Sequence, residues 1–429
     1  MKIGFFLENQ YYNNVDFSHP ELGNPGIRGT QYMMWIIACK LSEFHEVYIF
    51  APCIDKMATC LHSYICKTDQ EAVLHAQELG IEILVLRASN DKVDDLKKSD
   101  FGKMKVILWS HNFENYDLVN VVAQKQQIKR HVCVGRQQYE RLRDHSIFKK
   151  STYIYNALDF SILERERELK NQKIVTYVGA LNDLKGFHVL AKAWKHISKL
   201  VPDAELYVLG SGDMGKGTKL GKYGLADEKY EKKFIPYLVD NNGDFIPSVH
   251  FMGNVGGVDK ENIMLNTTVG VANPTGVGET FCIVATEFEA LGVPVVSKKG
   301  YGLLDTVLDK KTGLLVKDEK ELVSAIVQLL NDTEMNVRLG SNGYRFVRNN
   351  FSIDKVVEEW RKLINSVEKD EKQQICCDYD YPRNQYKWLR EINRKLQING
   401  IRVPSLLMWE YIKPLTMKCL VQCKKLIIG

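Results

Sequence analysis

Ala272-Asn-Pro-Thr-Gly-Val-Gly-Glu-Thr-Phe-Cys-Ile-Val-Ala-Thr-Glu287 sets two carboxylates, Glu279 and Glu287, eight positions apart across a turn that opens a helix. The residues before it, Thr268-Val-Gly-Val-Ala272, read as a short buried strand. Those after it, Phe281 to Leu291, have helical apolar spacing, and Gly292-Val-Pro-Val-Val-Ser297 returns to strand. Gly276 and Gly278 lie just upstream of the helix, whose first N–H groups are open to an anion. Eight helical residues rise about 12 Å, enough for the two acids to grip separate parts of one extended ligand. A solvated acid on a cap and another on a helix face would give the same spacing.

Working outward, the alternation of strand and helix continues. Thr268 follows a run that opens at Lys173-Ile-Val-Thr-Tyr-Val-Gly179. A helix is expected over Gly186–Leu200, then strands at Glu205–Leu209 and Val249–Met252, and a helix at Lys320–Leu330. An earlier series has strands at Lys2–Leu7, Val47–Phe50, Ile81–Leu86, Val106–Trp109 and His131–Val134, with a helix at Thr30–Leu41. Each series predicts an α/β unit with a parallel sheet covered by helices, with a ligand cleft at the carboxyl ends of the two sheets. The expected division is an N-terminal domain over 1–165 and a second over 166–353, with a charged boundary containing Glu164-Arg-Glu-Arg-Glu168. An amphipathic helix over 354–368, with Val356, Val357, Trp360, Leu363 and Ile364 on one side, would return to the first domain, and 370–429 is an extension.

At 429 residues the chain is too long for one ordinary core. Hydrophobic residues at 45% and charged residues at 26% fit a soluble globular protein. No apolar run reaches the roughly eighteen residues needed to span a bilayer. Met1-Lys-Ile-Gly-Phe-Phe-Leu7 reads as a first strand rather than a signal peptide, and the ten cysteines follow no zinc or disulfide spacing. A cytoplasmic location with free thiols is expected. The net charge of +5 is uneven: residues 382–429 hold ten Lys and Arg against two acids, so the other 381 carry −3. Together with Trp388, Leu406, Leu407, Trp409 and Tyr411, these basic residues are read for contact with an anionic membrane surface, placing the chain peripherally at its inner face. The alternative is that the tail packs on the first domain with its Lys and Arg in water. No nucleic-acid partner is expected.

The loops carry the chemistry. Gly210-Ser-Gly-Asp-Met-Gly215 matches G-x-G-x-x-G and Gly210 to Lys216 most of a phosphate loop, but Gly217-Thr-Lys-Leu-Gly-Lys-Tyr-Gly224 is poor helix material. The loop is therefore read as a strand end, not a dinucleotide or ATP cradle. Gly23-Asn-Pro-Gly-Ile-Arg-Gly-Thr30 follows the first strand; Gly26 and Gly29 allow close backbone approach and Arg28 adds a cation. His111 lies just past a strand end in Ile107-Leu-Trp-Ser-His-Asn112, and Lys185 lies in the loop Asn182-Asp-Leu-Lys-Gly186. An ammonium there can neutralise a phosphate; each residue taken alone reads equally as structural or surface.

In this order the pieces resemble the GT-B glycosyltransferases of family 4, the "group 1" retaining enzymes, over about residues 1–365. Tyr177-Val-Gly-Ala-Leu-Asn-Asp-Leu-Lys-Gly-Phe-His-Val-Leu190 is similar to that family's first C-domain strand and loop. Phe251-Met-Gly-Asn-Val255 is similar to its base-binding turn, Ile154-Tyr-Asn-Ala-Leu-Asp159 to its linker strand, and Glu279 to Glu287 to its E-x7-E motif. The resemblance implies two Rossmann-like domains with a helical C-terminal extension. It implies a metal-independent enzyme without a cofactor, moving a hexosyl group from a UDP- or GDP-sugar to a glycan or lipid-linked acceptor in bacterial surface polysaccharide biosynthesis. Glu287 would hold the ribose hydroxyls and Glu279 the sugar hydroxyls, helped by the amides of Thr280, Phe281 and Cys282. Lys185 would neutralise the diphosphate, the Gly26–Gly29 loop with Arg28 would approach it, His111 would touch the sugar, and Val255 would frame the base. The family's Gly-Arg-Leu turn is here Gly179-Ala180-Leu181, leaving Arg28 or another base to replace the missing cation. The competing expectations are a GT-B epimerase or small-acceptor synthase, a non-catalytic glycan-binding subunit and, last, an NAD-dependent oxidoreductase.

Overall fold

In the computed structural model, which describes residues 1–160, 172–212, 219–374 and 386–410, two parallel sheets organise the chain. The first contains β1 (Lys2–Phe6), β2 (Glu46–Ala51), β3 (His62–Ile65), β4 (Ile83–Arg87), β5 (Lys105–Ser110), β6 (Ile128–Cys133) and β7 (Ser151–Tyr153), in the order β3-β2-β1-β4-β5-β6-β7. The second contains β8 (Lys173–Val178), β9 (Ala204–Leu209), β10 (Val249–Gly253), β11 (Val269–Val271), β12 (Val295–Lys298) and β13 (Gly313–Val316), in the order β10-β9-β8-β11-β12-β13. Both sheets thus share the doubly wound order 3-2-1-4-5-6. In the second, the winding reverses between β8 and β11, which pair through Val175 with Val269 and Tyr177 with Val271.

The inner strands β4, β5, β8, β11 and β12 are short runs rich in aliphatic and β-branched residues, buried on both faces as central parallel strands are. Helix Phe187–Leu200 buries Phe187, Leu190, Ala191, Trp194 and Ile197 at three- and four-residue spacing onto the core of the second sheet. Helix Ile353–Glu368 buries Val356, Val357, Trp360, Leu363 and Ile364, and Trp360 packs 4.6 Å from Trp109 of β5. Lys105 reaches the end of this helix, donating to the carbonyls of Val367 at 3.0 Å and Glu368 at 2.7 Å.

By contact, the chain falls into two compact units that interleave along the sequence. One takes Met1–Phe6, Cys66–Ile154 and the described residues from Trp360 on; the other takes Leu7–Ile65 and Tyr155–Glu359. The charged stretch Glu164–Glu168 lies outside the described residues.

Two sequence expectations shift. The strand read at His131–Val134 begins earlier, at Ile128, because Arg130 is accommodated: its guanidinium donates to the Glu371 carbonyl at 2.5 Å. The helix read from Phe281 begins only at Ile283, since Cys282 takes a left-handed conformation (φ 72°, ψ 73°) that breaks the helical path. Glu279 therefore sits on a turn and only Glu287 on the helix, so a helical rise over eight residues does not describe their separation.

Burial in the first unit is pH-sensitive. His145 accepts the Ile147 N–H through Nδ1 at 3.2 Å and meets Asn120 Oδ1 at 3.0 Å, an arrangement suited to the neutral ring, and burial pushes its pKa down to about 4. Burial also pushes His111 down to about 3, Arg87 adding to the effect. Both bind a proton more readily when unfolded, so the stability they contribute is intact above about pH 6.5 and is lost as pH falls toward the folded values. Thermal unfolding temperature should fall across that window, with a shallower slope in His145→Asn; equal slopes would contradict this.

Candidate active site

The carboxyl ends of β8 and β11 are neighbours, and their loops bring Lys185 and Glu279 together. Lys185 Nζ lies 2.7 Å from Glu279 Oε2, a charge-assisted hydrogen bond. The Lys185 side chain keeps 41% of its surface exposed while that of Glu279 keeps 10%, so the acid is the fixed partner. Burial pulls the Lys185 ammonium down, but Glu279 and, to a lesser extent, Cys282 outweigh it and hold the pKa above the ordinary lysine value. Lys185 is a full cation at neutral pH.

The loop is held on three sides. Asn182 Oδ1 accepts the Lys185 N–H at 3.0 Å, Tyr177 donates its hydroxyl to the Lys185 carbonyl at 3.0 Å, and Thr275 donates to the Leu184 carbonyl at 2.8 Å. Gly186 starts the following helix at φ +72°, and a Cβ there would lie 2.3 Å from Thr275 Cγ2, so this close approach requires glycine. On the other side, Asn273 (φ 39°) donates through Nδ2 to Glu279 Oε2 at 2.7 Å. The Glu279 carbonyl accepts the Gly302 N–H at 2.9 Å, where a Cβ would stand 2.2 Å from the Thr280 carbonyl carbon. Thr280, Phe281 and Cys282 thus form a clamped turn between Glu279 and helix Ile283–Ala290.

Glu287 is met by Lys260, whose Nζ lies 2.7 Å from both carboxylate oxygens. Both side chains are 16% exposed. Lys260 is on helix Gly257–Leu265, which follows the turn holding Val255. The Gly26–Gly29 loop belongs to the same compact unit. A Cβ on Gly256 would come within 3.1 Å of Gly26 Cα, and one on Gly29 within 2.8 Å of Ile283 Cδ1. Gly26 and Gly29 therefore reach the turn beside Val255 and the start of the helix carrying Glu287. Arg28 caps helix Gly29–Leu41, its N–H donating to the Tyr12 hydroxyl at 3.3 Å.

His111 lies in the other unit and is described within it. Its ring packs 4.7 Å from Trp109, and its neutral form follows from the burial already noted. A buried network fixes the loop that carries it. Gln138 Nε2 donates to the Asn112 carbonyl at 2.7 Å and reaches Ser110 Oγ and Glu114 Oε1 at 3.0 Å; Arg141 donates to the Glu114 carbonyl at 2.9 Å. His131 Nε2 lies 2.9 Å from Glu114 Oε1. Burial raises the Glu114 carboxyl, but the charge and hydrogen bond of His131 outweigh it and leave it below its ordinary value. Cys133 Sγ is 3.9 Å from the other ring nitrogen, and one ligand atom from each of Glu114, His131 and Cys133 lies within 4.8 Å of the other two, a buried grouping close enough to hold a metal ion.

Sequence reasoning did not single out Lys260 or Asn273. Asn273 had a local signal, an Asn-Pro pair at a strand end where positive φ favours Asn. Lys260 had none, because only the folding of its helix beside Glu287 gives it meaning. The third acid of this region, Glu289, is fully buried; burial pushes its carboxyl well above the ordinary range, the Thr312 hydroxyl drawing it partly back. Of the G-x-G-x-x-G stretch, residues 213–218 lie outside the described residues. Gly210 is required because a Cβ there would stand 2.1 Å from the Gly179 carbonyl oxygen. A cavity of about 550 Å3 opens at the amino ends of β8 and β9, beside Lys173, Asp203 and Asn262. It holds none of the residues above, and parallel sheets place ligand chemistry at the other end.

Two parallel sheets of this order are those of the GT-B fold of α/β proteins. Residues 160–346 match the family described as glycosyl transferases group 1. Among relatives, it is 27% identical over 217 residues to the capsular polysaccharide biosynthesis glycosyltransferase CapM of Staphylococcus aureus, covering 50% of this chain and 52% of CapM. It is 25% identical over 213 residues to a trehalose synthase of Pyrococcus horikoshii, covering 48% and 47%. The chain thus spans about half the length of these relatives. Among solved structures, Anabaena HepE in complex with UDP and glucose shares the fold at a TM-score of 0.63 and 14% identity, covering 85% of this chain and 100% of that one. Sucrose-phosphate synthase of Thermosynechococcus elongatus does so at 0.67 and 16%, covering 86% and 100%.

Proposed function

We propose that the chain is a retaining glycosyltransferase that moves a sugar from a nucleotide-diphosphate donor to a glycan or lipid-linked acceptor in bacterial surface polysaccharide biosynthesis. The observation that carries this reading is the pairing of each acid of the E-x7-E stretch with its own lysine at 2.7 Å, Lys185 with Glu279 and Lys260 with Glu287. The relationship to CapM supports the polysaccharide setting, and the UDP-glucose complex of HepE supports the donor class.

In the proposed reaction the bond between the anomeric carbon and the diphosphate oxygen breaks, and its electron pair leaves with the diphosphate. The acceptor oxygen bonds to the anomeric carbon on the same face and passes its proton to the departing diphosphate. Lys185 stabilises the charge that develops there, with Arg28 in place of the arginine that Ala180 lacks. Glu279 and the Thr280–Cys282 amides hold the sugar, Glu287 the ribose, Val255 the base. His111, held neutral, contacts the sugar. These cations serve the leaving group without a metal.

A screen of UDP- and GDP-sugars for hydrolysis without acceptor tests this. One donor should be hydrolysed, and the same donor should be consumed faster with the right glycan. Micromolar binding of no nucleotide by calorimetry would refute the enzyme and leave a glycan-binding subunit.

A further inference from the structure

Helix Lys387–Ile398 packs the wrong way round for an amphipathic helix on a protein surface. Its polar side is the buried one. Arg390 is 1% exposed and donates to Asp144 Oδ1 at 2.8 Å, Asn393 donates to Asp144 Oδ2 at 3.1 Å, and Gln397 donates to the Asp144 carbonyl at 3.0 Å. Arg390, Asn393 and Gln397 follow at i, i+3 and i+7, one stripe of the helix. Arg390 also reaches Glu410 Oε1 at 2.5 Å, and the Leu406 N–H donates to Asp144 Oδ2 at 2.6 Å, tying down the segment that follows.

Apolar residues on the outward side are open, Trp388 and Ile392 opposite the buried stripe and Ile398 to one side of it. Trp388 is 68% exposed, Ile392 45% and Ile398 66%. Beyond the helix, Ile401 and Trp409 are exposed by 52% and 55%. Covering such side chains is favourable, so a helix pinned by its polar residues leaves apolar surface for whatever meets its outward side. Cations stand among the apolar residues: Lys395 and Arg402 are exposed, and Lys387 is partly so. The sequence after Glu410 adds Lys413, Lys418, Lys424 and Lys425 and no acid.

We infer that this outward surface docks on an anionic lipid surface. Its exposed indole rings, Trp388 on the helix and Trp409 in the segment after it, suit the boundary between headgroups and acyl chains, and its cations suit the phosphates. The buried Asp144 hub sets the helix flat with its apolar side out, as an interfacial helix lies. No described helix is long and apolar enough to cross a membrane. The inference stands apart from the catalytic reading and survives its failure.

Flotation of the full chain on a density gradient tests it, with vesicles of phosphatidylcholine alone or mixed with phosphatidylglycerol. The chain should rise with the anionic vesicles, less so in high salt, and stay down with the neutral ones. Trp388→Glu with Ile392→Glu should lower the bound fraction about tenfold, with an unchanged melting temperature because both positions face outward. Flotation of this variant equal to that of the unaltered chain overturns the inference, as does failure of the unaltered chain to float. A lipid-free dimer that the double substitution dissolves also overturns it, assigning the outward surface to a second copy.

Discussion

Lys185→Ala should lower kcat/KM for transfer by about 10²- to 10³-fold, the usual cost of removing one preorganised charge from a developing anion. The loss should fall on kcat more than on KM, because the leaving diphosphate carries most charge in the transition state. Folding should be little affected. The ammonium is substantially exposed, and its loop is held by Asn182, Tyr177 and Thr275 through bonds that do not use the amine. Glu279→Ala should abolish transfer as well, but with some loss of stability, because Asn273 Nδ2 loses its buried acceptor. Steady-state kinetics with the donor identified by hydrolysis decides it, and full activity in both variants would sink the assignment. Activity lost through Glu279 alone would move the phosphate cation elsewhere, to Arg28 first.

Asp144→Ala should cost about 3–5 kcal/mol, the range for stripping one partner from a buried ion pair. Its carboxylate is fully buried and serves Arg390, Asn393 and the Leu406 N–H together, so removal leaves a buried guanidinium and two further donors without their acceptor. Denaturant unfolding should register the loss, and proteolysis should cut first near residues 386–410. An Asp144→Ala chain as stable as the original would mean that the C-terminal helix is held by other contacts, among them Arg143 with Glu391 at 3.2 Å.

The two-sheet architecture was legible because parallel strands are short apolar runs bounded by turns, and most of those runs stand out. The exceptions have physical causes. Strand β3 (His62–Ile65) is an edge strand with exposed residues at both ends and no continuous apolar run. Strand β7 has only three residues. Helix Thr333–Phe351 buries Asn336, Gly340 and Gly343 as well as Leu339, Val347 and Phe351, so smallness replaces hydrophobicity on part of its inner face. Gly343 is small because a Cβ there would lie 3.1 Å from Glu289 Cγ.

In the candidate site, the acids and Lys185 were legible from spacing and order, since each follows a strand of the second sheet. That Lys185 meets Glu279 followed only from the sheet: β8 and β11 are 91 residues apart between Val178 and Val269 yet adjacent in space. The inverted C-terminal helix was half legible. Its composition suggested a basic, aromatic surface, but which stripe would face inward depended on Asp144, a residue no local pattern connects to it.

The Lys185–Glu279 pair has a consequence for the proposed reaction beyond neutralising a charge. An ammonium already bonded to a carboxylate gains from a phosphate only the difference between two anions. Donor capture is then an exchange: as the lysine turns to the diphosphate, the Glu279 oxygen it occupied becomes an acceptor for a sugar hydroxyl. Phosphate recognition and sugar recognition become one coupled event, so a nucleoside diphosphate without its sugar completes only half of the exchange.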